Sequence, residues 1–319
     1  MEQPILGIDV AKQKLDVALL LNQQTLTRQF DNSSSGFKLL QAWLESLHVT
    51  RVHACLEATG SDGDAVALFL HESAHLVSVV NPFRIKGDAS SKLSRNKTDT
   101  ADARLIADFC LTQKPEQWFP PAPEVAELQA LTRRIEALEQ MLQMEKNRFA
   151  SSPPKIKPSI KRMMTTLEKE IASLEKNIKN HFDQNPDLQE QTKLLQTIPG
   201  VGEKTAQLLL SEIEFSRYHS AREVAAFAGV TPKKKASGTS LNQTRLSKMG
   251  NGRLRAKLYF PALVATTHNN IIKAFALRLK ANGKTSMQII CAAMRKLLHL
   301  AFGVLKHKTP FDSTLAFSS

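Results

Sequence analysis

The spacing of apolar residues changes character twice along this chain of 319 residues. Toward the N-terminus, short apolar runs bounded by turn residues dominate, the mark of strands. "PILGIDV" (4–10), "KLDVALLL" (14–21) and "TLTRQFD" (25–31) follow one another at hairpin spacing and predict an antiparallel meander. "SSSGFKLLQAWLESLH" (33–48) sets Phe37, Leu40, Trp43, Leu44 and Leu47 on one helical stripe behind a serine cap. "VHACLEA" (52–58) and "HLVSVV" (75–80) read as buried strands, with "DAVALFLHE" (64–72) as the helix between them. "TDTADARLIADFCL" (98–111) closes the unit as a helix with Thr98 at its N-cap. Strands and helices in this order predict a mixed α/β sheet covered on both faces.

The proline-rich stretch "QWFPPAPE" (117–124) reads as a linker. Beyond it Leu128, Leu131, Ile135, Leu138 and Leu142 recur at alternating intervals of three and four. After a second break, "SSPPKIKPS" (151–159), Ile160, Met164, Leu167, Ile171, Leu174 and Ile178 do the same. The repeat predicts two helices in an antiparallel coiled-coil hairpin or an oligomerisation arm. Two helices packed on the body of the protein fit the same spacing. From Thr192 the pattern is mainly helical, in "KLLQTIPGVGEKTAQLLLSEI" (193–213), "AREVAAFAGV" (221–230), "GNGRLRAKLYFPALVATTH" (250–268) and "SMQIICAAMRKLLHLAFGVLK" (286–306). Between the second and third of these, "TPKKKASGTSLNQTRLSK" (231–248) lacks apolar periodicity and reads as a long functional loop. The divisions fall at 1–118, 119–190 and 191–319.

Composition narrows the class. Hydrophobic residues make up 42% of the chain, enough for two or three cored units. No apolar run approaches the roughly 18 residues of a membrane span, and "MEQPILGIDV" lacks the basic start and cleavage site of a signal peptide. Cys55, Cys110 and Cys291 are scattered and odd in number, which fits reduced thiols in a cytoplasmic protein. The net charge of +13 is unevenly spread: residues 1–190 carry −2 and residues 191–319 carry +15, from 20 basic and 5 acidic side chains. A basic half of this kind points to a polyanion such as DNA or RNA, and away from a membrane surface.

Four acids stand out on that map. Asp9 interrupts an apolar strand, where a charge is costly without a partner. Glu57 ends the fourth strand, while Asp99 and Asp102, three apart, share one face of a helix's first turn. With the first and fourth strands adjacent, all four would converge and repel unless a cation shared them. Oxygen donors without a His/Cys grouping suit Mg2+ or Mn2+, and two such ions about 4 Å apart suit phosphodiester displacement. Taken singly, Asp99 also fits a helix-start acid favoured by the dipole, Asp102 an exposed acid paired with Arg104, and Asp9 a turn cap. Asp16, Asp62, Asp64 and Asp108 read as surface or capping residues.

"GIDVAK", "LEATG", "NKTDTADA", "TIPGVGEKTA", "FAGVTP" and "SGTS…RLSKMGNGRLR" run in that order along nearly the whole chain. Together they resemble the DEDD transposases of the insertion-sequence one-ten family. The resemblance implies a RuvC-like RNase H fold over 1–118, with Asp9, Glu57, Asp99 and Asp102 as catalytic metal ligands. It implies a basic helical transposase domain over 191–319, where the nucleophilic serine is Ser237, beyond the coiled-coil helical arm that the repeat predicts over 119–190. The activity implied is RNA-guided cleavage and exchange of DNA strands through a covalent phosphoserine. The partners implied are a non-coding bridge RNA, donor and target DNA duplexes, and further copies of the chain in a dimer or tetramer, with acids and serine drawn from different protomers.

Read without the resemblance, Ser237 is one hydroxyl among Thr239, Ser240, Thr244 and Ser247, with no His near in sequence to activate it. A phosphate hydrogen-bond donor is the plainer reading. Lys233, Lys234, Lys235, Arg245, Lys248, Arg253 and Arg255 are candidate phosphate contacts, as are Arg95 and Lys97 beside the paired acids. Each also fits a solvated surface cation. "IPGVGEK" (198–204) has the form of a helix-hairpin-helix turn, where Gly200 and Gly202 would let backbone amides near Lys204 approach a phosphate. Such turns also join helices that bind nothing. Aromatics at 6% argue against recognition by stacking single-stranded bases. Two rival functions remain: a metal-dependent hydrolytic nuclease or Holliday-junction resolvase in which water attacks, and a non-catalytic nucleic-acid-binding protein on the same fold.

Overall fold

The computed structural model describes residues 3–58, 61–91, 99–237 and 241–314. Its contacts divide the chain into two compact units, Met1–Pro120 and Pro121–Ser319.

The first unit is built on a five-stranded sheet. β1 (Ile5–Val10) pairs antiparallel with β2 (Lys14–Leu21), which pairs antiparallel with β3 (Gln24–Asp31). On its other side β1 runs parallel to β4 (His53–Glu57), itself parallel to β5 (Leu76–Val80), so the order is β3-β2-β1-β4-β5. The meander is as the sequence predicts, and the first and fourth strands are neighbours, the condition on which convergence of the acids rested. Strand alternation then sorts side chains to two faces. Leu6, Ile8, Leu15, Val17, Leu19, Ala54 and Leu56 join Phe37, Leu40 and Leu44 of α1 (Ser34–Ser46) and Val66, Ala67 and Leu70 of α2 (Asp64–Glu72) in one core. Ile5, Ala18, Cys55 and Val80 turn the other way, to Ile85 of α3 (Pro82–Ser91) and Ala103, Ile106, Ala107 and Cys110 of α4 (Asp99–Gln113). Each large side chain fully buried in these cores contributes about 1.5–3 kcal/mol.

Local chemistry starts the helices where the sequence allows. The Ser33 hydroxyl accepts from the Gly36 amide at 3.2 Å, capping α1. Helix α3 escapes the periodicity reading because Ile85 is the buried apolar residue it contributes, while Phe83 is exposed. Pro82 supplies a preset first-turn φ, and the Asn81 side chain accepts from the Phe83 amide at 2.9 Å. Thr98, expected as the cap of α4, lies outside the described residues. The start of the proline-rich linker is tied to the sheet. Trp118 donates its amide to Val77 O at 2.6 Å, and the Ser78 hydroxyl donates to Glu116 O at 2.8 Å.

In the second unit α5 (Pro123–Ser151) and α6 (Lys157–Gln184) form an antiparallel hairpin. His181, near the end of α6, meets Glu124 O at 2.8 Å near the start of α5, and Lys157 lies over the Phe149 ring at the opposite end. Leu128, Ile135, Leu138, Ile160, Leu167 and Ile178 of the three–four repeat are buried. Leu128, Ile135 and Ile178 share one core with α7 (Pro186–Gln196), α8 (Glu203–Glu212), α9 (Ala221–Phe227), α11 (Tyr259–His268), α12 (Asn270–Ala281) and α13 (Ser286–His307). The short α10 (Gly252–Lys257) packs Leu254 into the same core.

Two expectations need correction here. The segment expected as a loop over 231–248 is an antiparallel ribbon, β6 (Pro232–Ser237) with β7 (Leu241–Leu246). Among its described side chains Leu246 alone packs against the core of the unit, and the polar sequence on either side carries no alternating apolar signal for a sequence reading to find. The expectation that no segment reaches a membrane span in length and apolarity also fails, because α13 passes that test by length and composition. It buries Ile290, Ala293, Met294, Leu297, Leu298, Ala301, Phe302 and Val304 within the unit.

Candidate active site

Strand register assembles a row of polar residues across one end of the sheet. Asp9 stands opposite Asp16 on β2, and Asp16 opposite Gln29 on β3. On the other side Gly7 is level with Cys55, so Asp9 and Glu57, each two residues further along parallel strands, are level too. Alternation puts all of them on the face that carries Ile5, Ala18 and Cys55, the face covered by α4. The row therefore runs Gln29, Asp16, Asp9, Glu57 beneath a helix.

That helix lies almost on the backbone of β1. A Cβ added to Gly7 would sit 2.2 Å from Ala103 O and 2.4 Å from the Ala107 amide nitrogen, which leaves room for glycine alone. Ile5 shares its core with Phe109 and Cys110 from the far end of α4. The helix therefore runs antiparallel to β1 and brings its first turns, with Asp102, to the acid end of the sheet.

The electrostatics agree with that placement. Burial pushes the Glu57 carboxyl above its ordinary pKa; Lys86 of α3 opposes the shift, while Asp9 and Asp102 add to it. Glu57 thus senses two of the other three expected acids. Lys86, on a helix the sequence reading missed, is the cation facing them. The donors are all carboxylate oxygens, the ligand class of Mg2+ and Mn2+ rather than zinc. Among the described residues no three such side chains converge closely enough to hold one ion. The side chain of Asp99, first residue of α4, lies outside them, as do Arg95 and Lys97.

Asp16 corrects a sequence expectation. Read as a surface or capping acid, it is 8% exposed. Gln29 Nε2 donates to its Oδ1 at 2.8 Å, and Lys14 Nζ is 3.1 Å from its Oδ2. A signal existed: once 4–10 and 14–21 are read as a hairpin with Val10 facing Leu15, Asp9 must face Asp16. Below the acids, Cys55 and Cys110 hydrogen-bond to each other, and that bond together with burial pushes the Cys55 thiol up.

The expected phosphate contacts of the second unit separate into two groups. Lys233 and Arg245 are exposed and stand directly opposite in the ribbon, and Lys248 just beyond it is exposed as well. Positions 233, 235 and 237 of β6 share a face with 241, 243 and 245 of β7. The side chains of Lys234, Lys235 and Ser237 lie outside the described residues. Other candidates are engaged within the protein. Arg253 pairs with Glu136 at 2.7 Å and also hydrogen-bonds Glu212, while Arg255 Nη1 donates to Ala228 O at 3.2 Å. Lys204 pairs with Glu175 at 2.6 Å. Gly200 has φ +101°, and a Cβ there would meet Ala265 Cβ at 2.7 Å, so packing alone demands glycine. Gly202 sits in open space at the N-cap of α8.

The sheet, its acid row and the basic helical unit define a protein of the nucleic-acid-processing kind, and sequence relationships are specific. A DEDD-type transposase model matches residues 6–152, and the model of the Transposase IS116/IS110/IS902 family matches residues 192–277. The chain is 31% identical over 320 residues to the pilin gene-inverting protein of Moraxella bovis, covering 99% of each chain. It is equally 31% identical, with the same coverage, to the pilin gene-inverting protein of Moraxella lacunata. The chain belongs to this IS110 family of transposases, enzymes of DNA recombination. Among solved structures, T. thermophilus RuvC in complex with a Holliday junction substrate is similar at 13% identity, covering 37% of this chain and all of that one, with a TM-score of 0.29. That superposition is too loose to carry an argument.

Proposed function

We propose that this protein is an RNA-guided DNA recombinase that cuts and exchanges strands between a donor element and a target. The observation that carries the reading is the row of Asp9 and Glu57 beneath Asp102 at one end of the sheet. In this reading Asp9, Glu57, Asp99 and Asp102 hold Mg2+ or Mn2+, and the strand order β3-β2-β1-β4-β5 supports an RNase H-like, RuvC-like unit. When bound, such ions lower the pKa of an attacking hydroxyl and stabilise charge on the oxygens of the transferring phosphate.

Ser237 is the nucleophile. Its Oγ forms a bond to phosphorus as the bond from phosphorus to one deoxyribose oxygen breaks, and that oxygen leaves with a proton as a free hydroxyl. Attack by a hydroxyl of a different DNA end reverses the step and frees the serine. One phosphodiester is broken for each one made, so no ATP is required. Lys233, Lys234, Lys235, Arg245 and Lys248 on and beside the ribbon neutralise backbone phosphates near that serine, in a half of the chain carrying +15. A bridge RNA reads donor and target sequence while the protein contributes shape and backbone contacts. The α5–α6 hairpin is a coiled-coil arm over 119–190 that joins protomers, between an acid-bearing unit at 1–118 and a serine-bearing unit at 191–319.

The relatives that match end to end are named for inverting a pilin gene, and this favours a second form of the same chemistry. Strand exchange between two sites on one DNA molecule inverts the segment between them.

The test is a denaturing gel of protein incubated with Mg2+, RNA from its flanking element, and labelled donor and target DNA. A protein–DNA adduct that Ser237→Ala and Asp102→Ala each abolish is the expected result. Cleaved DNA without an adduct, indifferent to Ser237→Ala, would leave a hydrolytic nuclease; binding indifferent to Asp9→Ala with no reaction would leave a non-catalytic binder.

A further inference from the structure

Asp16 has no place in the reading above, yet its position is costly. It is buried, and it stands directly opposite Asp9 on the neighbouring strand. Residues so placed have Cβ atoms about 4.5–5.5 Å apart, and like charges there destabilise a sheet. An alanine or threonine would serve the strand without that repulsion. The fold instead fixes the carboxylate from both ends: Gln29 on the edge strand donates to one oxygen and Lys14 pairs with the other. Each oxygen keeps a second acceptor site, since a carboxylate offers about four lone-pair directions.

We propose that Asp16 is a positioning residue of the carboxylate centre, a fixed charge beside Asp9 that strengthens the hold of that side of the site on a divalent cation. The inference rests on the reading of Asp9, Glu57, Asp99 and Asp102 as a cation site. Lys14 and Gln29 serve to hold Asp16 still, so that the pair of facing acids presents a defined negative field toward α4. A fixed negative charge at this range strengthens the hold on a divalent cation through the Coulomb term.

The test is equilibrium binding of Mn2+ to the full-length protein, with free Mn2+ read by electron paramagnetic resonance, alongside thermal denaturation in chelator. Asp16→Asn keeps the shape of the side chain and removes its charge. The expected result is Mn2+ binding about ten-fold weaker from loss of the Coulomb attraction, with a metal-free midpoint equal to or above that of the parent because a repulsion has gone. A purely structural Asp16 gives the opposite pair, a lower metal-free midpoint with unchanged Mn2+ affinity, and that overturns the inference. Gln29→Leu, on the exposed edge strand, guards against a variant that does not fold; it is expected to weaken Mn2+ binding a few-fold, and unchanged binding there also overturns the inference. Asp9→Asn separates the two levels. Weakened Mn2+ binding in Asp9→Asn but not in Asp16→Asn removes only the role of Asp16, whereas unchanged binding in Asp9→Asn removes the cation site itself.

Discussion

Gly7 of β1 and Ala103 of α4 are in such close apposition that a Cβ on the glycine would lie 2.2 Å from the alanine carbonyl oxygen. The contact sets how near the helix carrying Asp102 can come to the strand carrying Asp9. Gly7→Ala must push backbone against backbone, which no rotamer change relieves. The expected cost is about 1–3 kcal/mol of stability, seen as a lower denaturant midpoint. Strand cleavage is expected to fall further than stability explains, because the displaced helix takes Asp102 with it. A Gly7→Ala protein of parental stability and activity would show that the apposition is not what assembles the site.

The ribbon supports a different kind of prediction. Lys233 and Arg245 face each other across β6 and β7, both exposed, and neither stabilises the pairing by being there. Replacing both with alanine is expected to leave thermal stability unchanged or slightly raised. It is also expected to reduce the slope of log affinity against log salt by about 1–2 for duplex DNA, equally for all sequences. Fluorescence anisotropy over a salt series measures this, and an unchanged slope removes the ribbon from the DNA-binding surface.

How far the sequence was legible follows from what each element buries. β1, α1 and α2 each bury an apolar stripe of their own, and the spacing of Ile5, Leu6 and Ile8, or of Phe37, Leu40 and Leu44, announces them. Helix α3 buries Ile85 and leaves Phe83 outside, so periodicity had nothing to report. The ribbon sequence has no alternation of apolar and polar positions, so nothing in it distinguishes a strand pair from a loop. Among the site residues, Asp9 and Glu57 were legible because a charge at the end of an apolar strand is anomalous by itself. Asp16 was legible only through its hairpin register opposite Asp9; its burial depends on α4 packing over that face of the sheet. The internal partners of Arg253 and Arg255 were not legible for want of long-range information: Glu136, Glu212 and Ala228 are distant in sequence.

Arg253 gives the corresponding mutational test. Its guanidinium joins Glu136 of α5 to Glu212 of α8, and Asn251 Nδ2 reaches the second oxygen of Glu212 at 2.6 Å. Burial works against ionisation of Glu136, yet the hydrogen bond and charge of Arg253 outweigh it and hold the carboxyl below its ordinary pKa. Arg253→Ala leaves two partly buried carboxylates with only Lys257 and Asn251 beside them and is expected to cost about 1.5–3 kcal/mol, measured by chemical denaturation. If the midpoint instead holds and the salt slope for DNA falls by about one, Arg253 is a phosphate contact after all.

His299 on α13 sets a pH dependence that can be separated from the carboxylates. Burial holds its pKa down to about 4, and the charges of Arg295, Lys296 and Arg222 push the same way. In the unfolded chain the imidazole titrates near its ordinary value of about 6.5. Between those two values the unfolded state binds more protons than the folded one, so stability rises with pH through this window and is lost as pH falls from about 6.5 toward 4. The Nε2 atom of His299 has no hydrogen-bond partner among the described residues, so an apolar ring can replace it without stranding a donor. His299→Phe is therefore expected to match or exceed the parent in midpoint at pH 5 and to lose less stability between about pH 6.5 and 4.5. Thermal melts of the two proteins at half-unit intervals measure the difference. Curves that stay parallel across the window would mean that His299 is protonated alike in the folded and unfolded chains, and that its burial between Arg295 and Arg222 does not exclude the proton.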